Sequence, residues 1–344
     1  MKSWFILILI SVFFLTGLNG CDSKEKEKTW RLTYSVFFPA SHEQFKAAEN
    51  WAREIEAKTN NKVRIVIFPG GTLTSAKNCY DGVVSGISDI GMSCFGYTRG
   101  KFPVMESLDL PLGYPDGITA SKAVNEFYKN LRPKELDEVK VLYVHAHGPG
   151  LLHSVKKVET LEDFSKLKIR STGLSSKVVE SLGGIPVAMA QGETYEAVKR
   201  GVVEGTFGPI EVLKGWRQAE VVKSTTDTSN IGYTTTMYVV MNKKKWESLP
   251  EEIRKAIEKI NEKAVLAHGA AWDKSDAEGK KLSLELGNSY LTLSQEEKAL
   301  WKEKVSPVIQ EYIDSANSNG FDGKKIVGEI LRLIKIHSKD AGTE

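Results

Sequence analysis

"LEDFSKLKIRSTGLSSKVVESLGGIPVAMAQGETYEAVKRGVVEG" spans residues 161–205 and switches repeatedly between two hydrophobic periods. "LKIR" (167–170) and "IPVAM" (185–189) are apolar runs of strand length. "SSKVVESLG" (175–183) and "ETYEAVKRG" (193–201) carry the spacing of short helices. Gly183 and Gly184 close the first of these helices. A third strand, "VVEGTFG" (202–208), runs into a glycine loop. Strands that alternate with helices cross over and pair in parallel, so the stretch predicts an α/β sheet. Ligands of such sheets lie beyond the C-terminal ends of the strands. Arg170 stands at one of those ends, where "LKIR" opens into Ser171, Thr172 and Gly173. A guanidinium there offers a rigid fork that matches the two oxygens of a carboxylate. The residues alone leave a second reading open, a surface ion pair with Glu162 or Asp163.

The same alternation extends in both directions. "TWRLTYSVFF" (29–38) reads as a strand ending at Pro39. A helix follows over 41–59, with Ser41 as N-cap and Phe45, Ala48, Trp51 and Ile55 near helical spacing. "KVRIVIF" (62–68) is a second strand, closed by "PGG". Residues 80–86 suit a short helix and 88–92 a buried strand. "VKVLYVHAH" (139–147) and "TTTMYVVMN" (234–242) are further strands. A long helix runs from about Pro250 to Glu285, with Ile253, Ile257, Ile260, Ala264, Ala267 and Trp272 on its apolar stripe. Ser294 and Glu297 form a capping box at the start of the last clear helix. These elements predict two α/β lobes, 29–145 and 146–234, the first completed by part of 235–344. Residues 243–344 supply the C-terminal helices, including one that spans the lobes, and a cleft between lobes is a common ligand site.

The chain has 344 residues, 26% charged and 41% hydrophobic, with a formal net charge of +3. That charge is too small to argue for a nucleic-acid partner, and no basic run is interleaved with aromatics. The first residues read as a leader: Lys2, then the apolar run 4–15, which is shorter than a membrane-spanning helix needs. "LNGC" (18–21) resembles a bacterial lipoprotein box, although Asn19 is unusual in it. The resemblance implies a signal peptide over 1–20, lipidation of Cys21 and a solvated tether over 21–28. Asp22 resembles a signal to stay at the inner membrane, which places the protein on its periplasmic side. Ordinary secretion, with Cys21 a spare thiol, is the alternative. Cys79 and Cys94 are expected as buried free thiols, though an oxidising compartment would permit a disulfide. No CxxC, HExxH or GxSxG occurs, and His153, Ser154 and the acids are too scattered for a triad. No catalytic residue, cofactor or metal site is therefore expected.

Four stretches carry a family resemblance: 38–73, 83–92, 102–116 and 161–205. Together they resemble the substrate-binding protein of a tripartite ATP-independent periplasmic (TRAP) transporter, the DctP family. The resemblance implies a two-lobed periplasmic-binding-protein-like fold with a central ligand cleft. It also implies an organic-acid ligand and delivery to small and large membrane subunits. A solute sensor that signals to a receptor would use the same cleft, and the sequence does not separate the two.

By the same resemblance, Arg170 in "KIR" is the arginine that holds the substrate carboxylate. Two departures bear on the ligand. Gly208 stands at or near the family's Asn position, and Gly150 stands near a common second arginine. Both changes remove polar anchors and are read as making room, which points to a bulky or aromatic monocarboxylate. A C4-dicarboxylate or 2-oxo acid is the alternative. Packing groups are expected at strand ends: Phe37, Phe38, Phe95, Tyr97, Phe207 and Tyr233. Thr72, Ser93, Ser171 and Thr172 are candidate hydroxyl donors. His145 and His147 share a strand face, as cleft residues or as satisfied core, with His147 the candidate contact. The "PGGTL" loop (69–73) either turns its amides to the ligand or only turns the chain.

Overall fold

The structure is a computed structural model that describes residues 29–340. The leader, the tether and Cys21 lie outside them. In chain order the first elements are β1 (Trp30–Val36), α1 (Glu43–Lys58), β2 (Val63–Phe68), α2 (Cys79–Val84), β3 (Ile90–Cys94), α3 (Gly117–Leu131) and β4 (Val139–Ala146). Next come β5 (Leu151–Ser154), α4 (Leu161–Phe164), β6 (Lys168–Ser171), α5 (Ser175–Ser181), β7 (Ile185–Ala188), α6 (Gln191–Lys199), β8 (Gly205–Gly208), α7 (Val212–Gly215) and β9 (Ser224–Asp227). The chain closes with β10 (Thr236–Asn242), α8 (Lys243–Ser248), α9 (Glu251–Glu285), β11 (Ser289–Thr292), α10 (Gln295–Ser318) and α11 (Gly323–Asp340).

Two sheets form the two lobes. The first has strand order β2-β1-β3-β10-β4 and the second β11-β9-β5-β8-β6-β7. Neither is purely parallel, which corrects the expectation. β10 runs antiparallel to β3 and β4, and β5 runs antiparallel to β8 and β9. The reason is the crossing itself. β1, β3 and β4 end towards the other lobe, as do β6, β8 and β9. A strand arriving from the other lobe enters at that same end and must run the opposite way. β5 arrives from β4 and β10 from β9, and these are the antiparallel ones. Periodicity reports which residues are buried and says nothing about strand direction.

The two crossing segments bond to each other: Gly150 N–H donates to Tyr233 O at 3.0 Å, and Thr234 Oγ1 donates to His147 O. A Cβ on Gly150 would stand 2.1 Å from atoms of the Tyr233 ring. The space at Gly150 is therefore filled from within, and that glycine does not enlarge the ligand site.

α9 is the third connection. Its stripe of Ile253, Ile257, Ile260, Ala264 and Trp272 is buried on the first lobe. Ala267 is exposed, and His268 takes the buried position beside it, because the 3.6-residue period drifts past 267. Further on, a Cβ on Gly279 would lie 2.4 Å from Ile210 O of the second lobe, so the helix meets that lobe backbone to backbone. Pro250 is the N-cap of α9 and not its first helical residue, so the helix starts one residue later than expected, at Glu251. Ser294 Oγ accepts from Glu297 N–H as half of a capping box. The Glu297 carboxylate instead accepts from Leu161 N–H and Trp301 Nε1–H, pinning α10 to the start of α4. At α1 the cap is His42, not Ser41: His42 Nδ1 accepts from Gln44 N–H.

Gly150→Ala should overpack the crossing by about 1–3 kcal/mol. A fall of several degrees in melting temperature is expected in a calorimetric scan, and an unchanged melt would show that Tyr233 is free to move aside.

Candidate functional site

The strand ends of both lobes converge on one cavity. The first lobe contributes Phe37 and Phe38 after β1, Cys94 and Tyr97 at the end of β3, His147 after β4, and Thr235 and Met237 where β10 begins. The second contributes Arg170 and Thr172 at the end of β6, Gln191 after β7, and Phe207, Gly208, Pro209, Glu211 and Val212 around the end of β8, with Trp216 just beyond. Trp272 of α9 completes the wall. The cavity measures about 30 Å³, enough for a water molecule and too little for an organic acid. This is a closed conformation.

Arg170 is 3% exposed. Its Nε and Nη2 donate to Met189 O at 3.2 and 3.1 Å, and its Nη1 donates to Phe207 O at 3.4 Å. Each terminal nitrogen carries two hydrogens, so each keeps one uncommitted. No carboxylate among the described residues pairs with it, and the surface ion pair with Glu162 or Asp163 is not formed. Asp163 instead closes the capping box of α4 with Thr160. One carboxylate, Glu211, does line the cavity, but it is tied off. His42 Nδ1 accepts from Gln44, so its Nε2–H donates to Glu211 Oε2 at 2.8 Å, joining the lobes.

Three more contacts cross the seam. Thr172 Oγ1 donates to Gly96 O at 3.3 Å, and Gln191 N–H donates to Tyr97 Oη at 3.1 Å. Gly96 and Gly173 meet so closely that a Cβ on Gly173 would lie 2.9 Å from Gly96 Cα. Gly173 has φ +52°, a second reason for glycine there.

Of the residues expected at the site, Phe37, Phe38, Tyr97, His147, Arg170, Thr172, Phe207 and Gly208 line the cavity. Phe95, Ser93, Thr72 and Tyr233 do not. Cys94 points to the cavity from the last position of β3, so its neighbours Ser93 and Phe95 face the other way. Phe95 packs on Phe102 and Tyr238 in the first lobe's core, and Ser93 Oγ donates to Ala76 O. Thr72 is exposed and donates to Pro69 O. Its loop only turns the chain: Gly70 and Gly71 N–H donate to Phe38 O and Val36 O, which secures the segment bearing Phe37 and Phe38. Tyr233 packs behind the wall, against Phe207 and His147. Ser171 bonds Ser176, away from the cavity. Gly208 lines the wall, though a Cβ there would meet Val212 at 3.3 Å. Sequence reasoning missed Trp216, Gln191 and Glu211. Trp272 was read only as core.

Burial, then the charge of Arg170, push His147 down to about 4. Burial also pushes His153 down to about 4; it bonds Thr225 Oγ1 and Gly208 O. His145 accepts from Trp272 Nε1–H and is held well below the usual imidazole range by burial. Cys79 and Cys94 are buried free thiols, and burial raises both, Cys79 to about 11. No cluster among the described residues has the ligands for a metal.

Residues 34–315 match the bacterial extracellular solute-binding proteins of family 7, DctP. The chain belongs to that family. A marine metagenome TRAP solute-binding protein, from an unidentified microbe and specific for aromatic acids, was crystallised with 3-hydroxybenzoate. It is 30% identical, covers 90% of this chain and 99% of its own, and superposes with a TM-score of 0.86. A TRAP protein of Rhodoferax ferrireducens holding copurified benzoate is 26% identical, with coverages of 91% and 100% and a TM-score of 0.86. The C4-dicarboxylate-binding periplasmic protein DctP of Rhodobacter capsulatus is 28% identical over 77% of this chain and 81% of that protein. This TRAP family member is thus a solute-binding protein and not an enzyme. No helix among its described residues is long and apolar enough to cross a membrane.

A buried imidazole that titrates near 4 folded and near 6.5 unfolded withdraws stability as the pH falls from about 6.5 towards 4, because only the unfolded chain takes up the proton. His147 and His153 should accordingly show flat ring NMR shifts between pH 8 and pH 5. A midpoint near 6.5 for either would mean that its ring is hydrated.

Proposed function

We propose that the protein captures a bulky or aromatic monocarboxylate, binds its carboxylate through Arg170, and delivers it to TRAP small and large membrane subunits. The observation that carries this reading is the buried guanidinium of Arg170, with no carboxylate partner and one free N–H on each terminal nitrogen. Backbone carbonyls orient such a charge but do not neutralise it, and an unpaired buried ion carries a penalty of several kcal/mol. A solute carboxylate offsets it. Among the described residues Arg170 is the only Lys or Arg lining the cavity, and burial keeps His147 neutral, so one anionic group is matched and a second is not. Phe37, Phe38, Phe207, Trp216 and Trp272 supply a wall suited to a ring. The ligands of the marine and Rhodoferax relatives support the aromatic reading, and the Rhodobacter relative names the alternative, a C4-dicarboxylate. The cavity as closed here is too small for any of these, so entry requires the lobes to part, and the liganded form closes less far than this one.

Replacing Arg170 with Ala should weaken binding by about 2–5 kcal/mol. The check is titration calorimetry with the acid identified by mass spectrometry after denaturing the purified protein. Equal affinity in the two proteins would sink the carboxylate assignment.

The reading extends to a lipid anchor at Cys21, supported by "LNGC". The mature protein should begin at Cys21 with added acyl mass, and Cys21→Ala should leave it free in the periplasm. An unmodified Cys21, or cleavage elsewhere, would replace the anchor with ordinary secretion.

A further inference from the structure

Two side-chain donors in the cavity wall are buried without a partner: Gln191 Nε2 and Trp216 Nε1. A buried N–H left unpaired costs about 1–3 kcal/mol, and such groups in a folded protein call for an explanation. Both are donors, and neither has an acceptor among the described residues. The carboxylate in this wall, Glu211, is occupied by His42. An acceptor for them has to come from inside the cavity, from water or from a bound solute.

The two donors stand in different places. Gln191 opens α6, two residues after the Met189 carbonyl that grips Arg170, and its backbone N–H already holds Tyr97. Trp216 belongs to the aromatic wall. It stacks on Phe37, with ring centroids 6.1 Å apart and planes 18° from parallel, and its ring is also close to Phe38 and His42. A phenylalanine would supply the same hydrocarbon face. Tryptophan adds one N–H.

We propose that Gln191 Nε2 joins Arg170 on the carboxylate, and that Trp216 Nε1 donates to a second oxygen on the ring side, so that the preferred solute is a ring-oxygenated aromatic acid. This rests on the aromatic-acid reading above and narrows it. An unsubstituted ring would leave the indole N–H unpaired in the closed state, whereas a ring hydroxyl or carbonyl oxygen accepts from it. The discrimination comes from the unmet donor, which disfavours the ligand lacking the oxygen.

The test is calorimetry on stripped, refolded mature protein with benzoate and the three hydroxybenzoates. Wild type should prefer one hydroxybenzoate over benzoate by about five- to tenfold. Trp216→Phe should lose that preference, weakening the preferred hydroxybenzoate about five- to tenfold more than it weakens benzoate. Gln191→Met should weaken all four acids alike. Melting curves of the ligand-free variants identify any general loss of fold; should Trp216→Phe misfold, the wild-type preference and the Gln191→Met series still decide. Equal binding of benzoate and every hydroxybenzoate by wild type would overturn the second-oxygen assignment. So would a Trp216→Phe variant that weakens benzoate as much as the preferred acid. Wild type that binds an aliphatic acid and none of these would overturn the aromatic reading itself, and this inference with it.

Discussion

A guanidinium without a counter-charge, held inside the seam between two lobes, is the constraint around which the rest is arranged. Among the described residues Arg170 hydrogen-bonds only to backbone carbonyls, from Met189 and Phe207, each near the end of a neighbouring strand. Those carbonyls aim the fork and leave its positive charge in place. The protein's own acid, Glu211, lines the same cavity yet is bound to His42 from the opposite lobe. The chain thus keeps its available carboxylate from quenching its arginine. Burial keeps the neighbouring imidazole of His147 neutral, so it adds no second positive charge beside Arg170. Positive charge in the lining is concentrated at Arg170, and the rings of Phe37, Phe38, Phe207, Trp216 and Trp272 form much of the remaining wall.

The two sheets exist to bring their strand ends to that point. Each lobe offers loops after parallel strands, and each also receives a strand from the other lobe running backwards through it. Tyr233 and Gly150 lock the crossing, while Gly96 and Gly173 let the facing loops meet without a side chain between them. Small residues occur where backbone meets backbone, and large aromatic ones where backbone meets ligand space.

Much of this was legible beforehand, and the failures are physical. The strand–turn signal around "LKIRSTG" placed Arg170 at the end of a strand because apolar period and turn chemistry are local, while the family resemblance favoured it over a surface ion pair. The stripe on α9 was legible for the same reason. Strand direction was not, since β5 and β10 look like any other buried strand in sequence. Phe95 and Phe37 look equivalent as aromatics past strand ends. Only the pleat of β3, with Cys94 facing the cavity, sends Phe95 to the core. Trp216 follows a single-turn helix and Trp272 rides a long one. Neither carries a local signal, because both reach the cavity through tertiary crossing. Gly150 read as open space because the ring that fills it lies far along the chain, at Tyr233.

The three connections between the lobes have a further meaning. Two bodies on one flexible tether must find each other's orientation in every rotation. Bodies joined by two mutually bonded segments and by a helix packed on both have little twist left, only a swing. Most of the orientational entropy of assembling the wall was therefore given up when the chain folded. A captured solute needs to supply only the remainder, and on the reading proposed above the free energy it gains from Arg170 and the aromatic face goes into holding the swing shut.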